Sequence, residues 1–258
     1  MATQLVAPGA GVQRFPDVAC AGQHVFVSWF QREGTGDRLM LAHARRPNGG
    51  GDIGFSAPID LGFDEETFFG SSLAVAGVER AAYVVFSRSD GKLRFKRWTI
   101  GPAPDFALTP RATRVIGEGT PDNSASDAVI AASGSKVAVA WFRCGGVRVR
   151  VSNDRGRTWG PIHKVIDHVA CAGDFGTSPR HIAIRGNQIV ITYSAFGIPN
   201  VSWVGLVRTR TDFERFSDTT ITQVGHDEHL VGYITVGGVR KLGAVFDNGD
   251  RLRFRRQQ

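Results

Sequence analysis

Residues 18–30, VACAGQHVFVSWF, read as a strand of small residues, a turn at Gly22-Gln23, and a second strand whose apolar residues run up to Trp29. The same phrase returns four times: LAVAGVERAAYVVF (73–86), VIAASGSKVAVAW (129–141), IAIRGNQIVITY (182–193) and YITVGGVRKLGAVF (233–246). The aromatics that close the five phrases are Trp29, Phe86, Trp141, Tyr193 and Phe246, spaced 57, 55, 52 and 53 residues apart. Each hairpin is followed by a third strand-like run, at 38–45, 92–98, 147–152, 204–210 and 251–256. A fourth run follows in four of the units: Ile59 to Gly62, Ala112 to Ile116, His163 to Ile166 and Thr219 to Val224. Four antiparallel strands repeating at this period predict the blades of a β-propeller, because stacking sheets around an axis buries faces that no single sheet can hide.

The expectation is therefore an all-β chain forming one domain over residues 1–258, a five-bladed β-propeller of four-stranded antiparallel blades. Its blades run over 15–62, 70–117, 125–167, 177–224 and 226–258. The last unit lacks a fourth run, and Thr3 to Ala7 (TQLVA) are apolar enough to supply it, so an N-terminal strand at 3–7 is expected to close the last blade and remove an open edge.

Composition agrees with short strands and turns: 32 Gly and 11 Pro in 258 residues, and no segment that keeps helical periodicity for three turns. Cys20, Cys144 and Cys171 are far apart, which supports neither a disulfide framework nor a zinc site; free, partly buried thiols are expected. The seven histidines show no H-x-H or H-x-x-x-H spacing, so neither a metal site nor a cofactor is expected. The first fifteen residues lack a basic stretch followed by an apolar core, so no secretory signal is read, and no run approaches the 18 apolar residues of a membrane span. The compartment is left open, with a cell or virion surface among the settings considered. A formal charge of +7 favours an anionic partner without naming it.

The sharpest motif is SNDRGRTW, Ser152 to Trp159, which fits S-x-D-x-G-x-T-W at all five specified positions, Ser152, Asp154, Gly156, Thr158 and Trp159. Its chemistry is structural. Asp154 is suited to accept N–H bonds across a tight turn, Gly156 to take a positive φ, and Trp159 to fold back as packing. Looser versions of the turn are read in ARRPNGGGDIGFSAP (44–58) and TRTDFERFS (209–217). Through this Asp box and the repeat, the chain resembles the sialidase-like, BNR-repeat propellers over essentially its whole length.

That resemblance implies roles for particular residues. Sialidases open their first blade with an R-I-P-like motif whose arginine contacts a substrate carboxylate, and Arg14-Phe15-Pro16 stands at the matching place; a guanidinium fork suits a carboxylate. Arg180, in SPRHIAI, leads into the fourth unit at a similar point, which makes it a second candidate. The remaining sialidase parts are an acid, for which Asp37 in QREGTGD stands; a glutamate, Glu65 or Glu66; and a tyrosine nucleophile, Tyr233, with Arg240 nearby. Tyr83 and Tyr193 lie inside apolar strands and are expected to be packed. Sialidases use six blades, however, whereas five are counted here. Five-bladed hydrolases of arabinans, xylans and fructans place three carboxylates around the channel, and Asp17 in RFPDVA occupies a comparable position, but the motifs around those carboxylates are absent.

Aromatics beside polar loop residues are the other sign of sugar binding, since pyranose CH faces stack on rings. Phe68, Phe69, Asp174, Phe175 and Trp203 are read in or near connecting loops as candidate ligand contacts, with Trp29 and Trp141 as core. The third runs alternate Arg or Lys with apolar residues, as in Lys92, Arg94 and Lys96, or Arg148 and Arg150, which puts basic stripes on the outer strands. Three function classes follow. The first is a non-catalytic, glycan-recognising module, surface- or virion-associated, whose partner is a carbohydrate, in particular an acidic glycan, within a larger protein assembly. The alternatives are a sialidase-like glycoside hydrolase using Arg14, Asp37, Glu66 and Tyr233, and a protein-binding scaffold. Nucleic acid is disfavoured as a partner.

Overall fold

A computed structural model describes residues 12–34, 36–45, 54–64, 73–78, 81–102, 107–120, 125–143, 146–167, 177–197, 201–210, 216–222, 229–236, 239–247 and 252–256. Among these residues all regular structure is β. The first sheet runs in the order β1 (Gln13–Ala21), β2 (His24–Glu33), β3 (Gly36–Arg45), β4 (Ile59–Asp64). The second holds β5 (Leu73–Val78), β6 (Ala81–Ser87), β7 (Leu93–Ile100), β8 (Leu108–Pro110) and β9 (Arg114–Gly117). The third orders β10 (Ser126–Ser133), β11 (Lys136–Arg143), β12 (Gly146–Ser152) and β13 (His163–Asp167). The fourth orders β14 (Thr177–Arg185), β15 (Gln188–Gly197), β16 (Val201–Arg210) and β17 (Phe216–Thr222), and the fifth β18 (His229–Val236), β19 (Val239–Asp247) and β20 (Leu252–Arg256).

Each repeat read from the sequence is thus a meander of its own, with strands paired in chain order. In three of the hairpins one glycine sets the register. Gly22, Gly134 and Gly186 have φ of +61°, +60° and +55°, and the residue after each stays at negative φ, the turn whose twist matches the strands it joins. The second sheet departs from the expected single fourth strand. Its outer position is split, β8 pairing with one end of β7 (Trp98 with Pro110) and β9 with the other (Phe95 with Arg114).

The chain packs as two compact units, Met1–Ala128 and Val129–Gln258. In the first, β1 and β2 lie against β5. Phe26, Phe30, Leu39 and Leu41 of the first sheet close on Val84, Phe86, Trp98 and Ile100 of the second, all buried. Each such side chain contributes about 2–3 kcal/mol by leaving water. The other face of the first sheet holds Trp29, Met40 and Ala42. Strand β6 is buried along its whole length, as its unbroken apolar run AAYVVF requires, and Tyr83 lies within it fully covered. In the second unit β14 packs on β11 and β12, and β18 on β14 and β15. Val147, Val149 and Val151 meet Ile182, Ile184 and Tyr193 there. In β12 the valines are buried and the intervening Arg148 and Arg150 half-buried, the period-two pattern of GVRVRVS made physical.

Several expectations change at this level. Trp203 lies inside β16, paired with Ala195, because the apolar run VSWVGLV continues the strand through it; the loop placement is corrected. Cys20 is exposed rather than partly buried, since the alternation of β1 turns it away from the core face. Trp29, Trp141 and Trp98 are all buried. The closing strand at 3–7, together with Cys144 and Cys171, lies outside the described residues. Among the described residues no helix is long and apolar enough to cross a membrane.

Candidate functional site

Two of the first strands, β1 and β14, carry a similar irregularity close to where each begins. In β1 the pairing with β2 slips between Arg14 and Asp17, so that Phe15 and Pro16 have no partner across the ladder. In β14 it slips between Pro179 and His181, leaving Arg180 in the bulge. Arg180 stands as far before its hairpin glycine as Pro16 does, and Asp127 of β10, placed relative to Gly134 as Phe15 is to Gly22, holds a positive φ of +49°. A bulge re-aims the side chains beside it, and proline, which cannot donate to a ladder, fits there.

At this end of the first sheet two arginines and a carboxylate meet. Asp37 begins the return of the β2–β3 hairpin and is 1% exposed. Arg14 Nη2 donates to its Oδ1 at 3.3 Å and Oδ2 at 3.5 Å, and Arg32 Nη1 stands 3.6 Å from Oδ1. The arginine side chains are 33% and 36% exposed, so the carboxylate sits beneath a partly open double-guanidinium cover. Arg14 Nε is buried without a hydrogen-bond partner, as is Ser28 Oγ, which lies across from Asp17. Asp17 itself is half-buried and accepts from the Val18 N–H at 2.9 Å.

The structure therefore brings together two residues chosen from the sequence, Arg14 and Asp37, and adds Arg32. The hairpin register could have supplied it: Arg32 pairs directly with Asp37, one residue pair from the turn. In the second unit Arg180 Nε donates to Ser194 Oγ at 2.6 Å, and Thr192, opposite His181, is buried with an unpartnered hydroxyl. Tyr233 pairs with Leu242 and Arg240 with Thr235 in the fifth sheet. Glu65, Glu66, Phe68, Phe69, Asp174 and Phe175 lie outside the described residues.

The opposite end of the first sheet's core face carries a feature the sequence reading passed over. His24 Nδ1 and His43 Nε2 are 2.9 Å apart, both rings are buried, and the His43 ring stacks on Phe26 with centroids 5.0 Å apart. Burial, and then the charge of His24, push the His43 pKa down from 6.5 to about 4.

The SNDRGRTW turn also lies away from the bulged ends, beside the β10–β11 turn, where the Arg155 N–H donates to Ser135 O at 2.7 Å. Asp154 accepts from the Thr158 N–H at 2.8 Å and from Thr158 Oγ1 at 2.6 Å, while Ser152 Oγ donates to its Oδ1 at 2.8 Å. The Gly156 N–H donates to Ser152 Oγ, and Gly156 holds φ at +77°. Burial works against the Asp154 charge, but these hydrogen bonds outweigh it and bring the carboxyl down to about 2. Trp159 is half-buried. The motif is a turn closed by its own Ser152, Asp154 and Thr158 side chains and tied by Arg155 to the β10–β11 turn.

Among solved structures, the chain is similar to an α-L-arabinanase of Penicillium chrysogenum complexed with arabinobiose. The TM-score is 0.66 at 10% identity, covering 96% of this chain and 80% of that one. It is also similar to the Trypanosoma rangeli sialidase in complex with sialic acid, at TM-score 0.56 and 12% identity, covering 96% of this chain and 46% of that one. A third is an α-L-arabinofuranosidase of Fusarium graminearum in complex with an iminosugar inhibitor, at TM-score 0.55 and 11% identity, covering 95% and 80%. The chain shares a β-propeller fold with these structures. At these identities the likeness is one of fold, and it matches what the repeat implies; the chain spans less than half of the sialidase. No protein-family model matches the sequence, and no curated protein does.

Proposed function

We propose that the chain is a glycan-recognising propeller module that binds a carboxylate-bearing sugar at the bulged end of its first sheet and does not hydrolyse it. The observation that carries this reading is the Arg14–Asp37–Arg32 cluster. Asp37, the residue best placed in sequence to act as an acid, is 1% exposed and engaged by two guanidiniums, whereas Arg14 keeps a third of its side chain open and a buried Nε without a partner. A carboxylate so committed serves to orient arginines, and oriented arginines bind carboxylates by a bidentate fork. The fold lends support, because its solved neighbours are complexed with arabinobiose or sialic acid.

In this reading residues 1–258 form one five-bladed ring, the N-terminal strand at 3–7 closing the last blade. Arg180, Asp17, Phe68, Phe69, Asp174, Phe175 and Trp203 are the further residues proposed to contact a ligand. Surface or virion display within a larger assembly suits such a module. The glycoside-hydrolase reading, with Asp37, Glu66 and Tyr233 in catalysis, draws on the neighbours being carbohydrate-active enzymes. A glycan array separates the two. The protein should bind acidic glycans and lose that signal on Arg14→Ala, while releasing no fluorophore from a panel of aryl glycosides. Turnover abolished by Asp37→Asn would replace binding with catalysis, and silence in both assays would leave a scaffold. Deleting residues 1–8 should lower the thermal midpoint by many degrees; an unchanged melt removes the closure.

A further inference from the structure

The outer edge of the second sheet presents two exposed arginines, Arg111 and Arg114. Strand β7 packs one face on the first sheet through Trp98 and Ile100, and the alternation turns Phe95, Arg97 and Thr99 to the other face. The outermost position is broken between β8 and β9, and the break is held by the Arg111 N–H donating to Arg97 O at 2.8 Å. Arg114 pairs with Phe95 and Thr109 with Thr99, so Arg97, Arg111 and Arg114 share that second face with two threonines. Residues 109–115 are all exposed.

Among the described residues, four other strand arginines are engaged: Arg38 with Asp60, Arg94 with Asp90 at 2.6 Å, Arg148 with Arg143 O at 2.8 Å, and Arg150 with Gly160 O at 2.6 Å. The Arg111 and Arg114 side chains have no hydrogen bond or ion pair among the described residues. The outer position, broken between β8 and β9, is also too interrupted to accept another chain by edge pairing. Charge is what remains for recognition here.

We propose that this face is a docking surface for a polyanionic polysaccharide, bound through its sulfate or carboxylate groups by Arg111 and Arg114 and by the Thr99 and Thr109 hydroxyls. Guanidiniums pair with such oxyanions in a fork, and the hydroxyls suit sugar oxygens. A single-stranded nucleic acid would want aromatic platforms for its bases, and no exposed aromatic is found among the described residues. The surface is distinct from the Arg14 cluster, and either can fail without the other.

The test uses the full chain and a fluorescent heparin oligosaccharide as probe, with affinity followed against salt. Wild type should bind, with log Kd linear in log salt. R111A/R114A should weaken binding about tenfold or more near 0.1 M salt and lower the slope by roughly 1 to 2, as expected when two ion contacts are lost. R157A/K164A, which removes the same charge from the second unit, should behave nearly as wild type. Equal losses in R111A/R114A and R157A/K164A would reduce the effect to net charge and overturn the proposal. Tighter binding of a charge-matched single-stranded DNA would overturn the choice of polysaccharide.

Discussion

Acidifying the protein from pH 7 to pH 5 should remove about 2 kcal/mol of stability through one buried ring. His43 is 7% exposed and stacked on Phe26 beside His24, and its pKa is lowered from 6.5 to about 4. In the unfolded chain the same imidazole takes a proton near pH 6.5, while in the folded chain it resists until about 4. The unfolded state therefore binds more protons throughout that window. Stability is full above pH 6.5 and falls as the pH drops towards 4. The linkage integral for that pair of values gives about 2 kcal/mol lost by pH 5 and about 3 kcal/mol by pH 4. Urea denaturation followed by tryptophan fluorescence at pH 7, 6 and 5 measures it. The carboxylates whose pKa values are lowered to about 2, Asp90 and Asp154, contribute below that range and leave it clear. His163, also pushed down by burial, adds a slope of the same sign, so the informative quantity is wild type against His43→Gln. The variant should be less stable at pH 7 yet visibly flatter between pH 7 and 5. Parallel lines for the two proteins would refute the assignment of a buried neutral His43.

Three other expectations follow from the geometry. Asp154→Ala strips the turn of its bonds from Thr158 and Ser152 and should cost about 1–3 kcal/mol by chemical denaturation. Because that carboxyl titrates lower folded than unfolded, its wild-type contribution holds above about pH 4 and is lost as pH falls through about 2. Asp37→Asn leaves Arg14 and Arg32 facing one another without their shared anion; with both arginines about one-third exposed, a loss of about 1–3 kcal/mol is expected, larger at low salt, and no salt dependence would contradict the pairing. Gly91→Ala should cost about 3 kcal/mol or more, since φ is +74° and a Cβ would stand 2.1 Å from Thr120 O; an unaltered melting temperature would mean the loop moves freely.

The repeat, the strands and the hairpin turns were legible in the residues because each depends on neighbours only a few positions apart. Alternation in GVRVRVS selects the buried face of β12, and Gly22, Gly134 and Gly186 stand where a positive φ is needed. The SNDRGRTW turn was readable for the same reason, all its bonds closing within the motif or onto the adjacent turn. Arg14 and Asp37 were picked separately through a family resemblance, but nothing in their spacing of 23 residues says that they touch. Arg32, the split fourth strand at β8 and β9, the strand placement of Trp203, and the buried His24–His43 pair depend on which strands pair across the sheet, which the local pattern does not encode.

Local sequence thus determined which residues become strands and where they turn. Tertiary structure alone decided which charges are shared, that the His24 and His43 rings are buried together, and which arginines are left with nothing to hold. Burial and ion pairing are set by what the partner strand or sheet brings to a side chain, and that partner is distant along the chain. A lone Arg in an alternating strand looks alike whether its guanidinium meets Asp37, a backbone carbonyl as Arg150 does, or open solvent as Arg114 does.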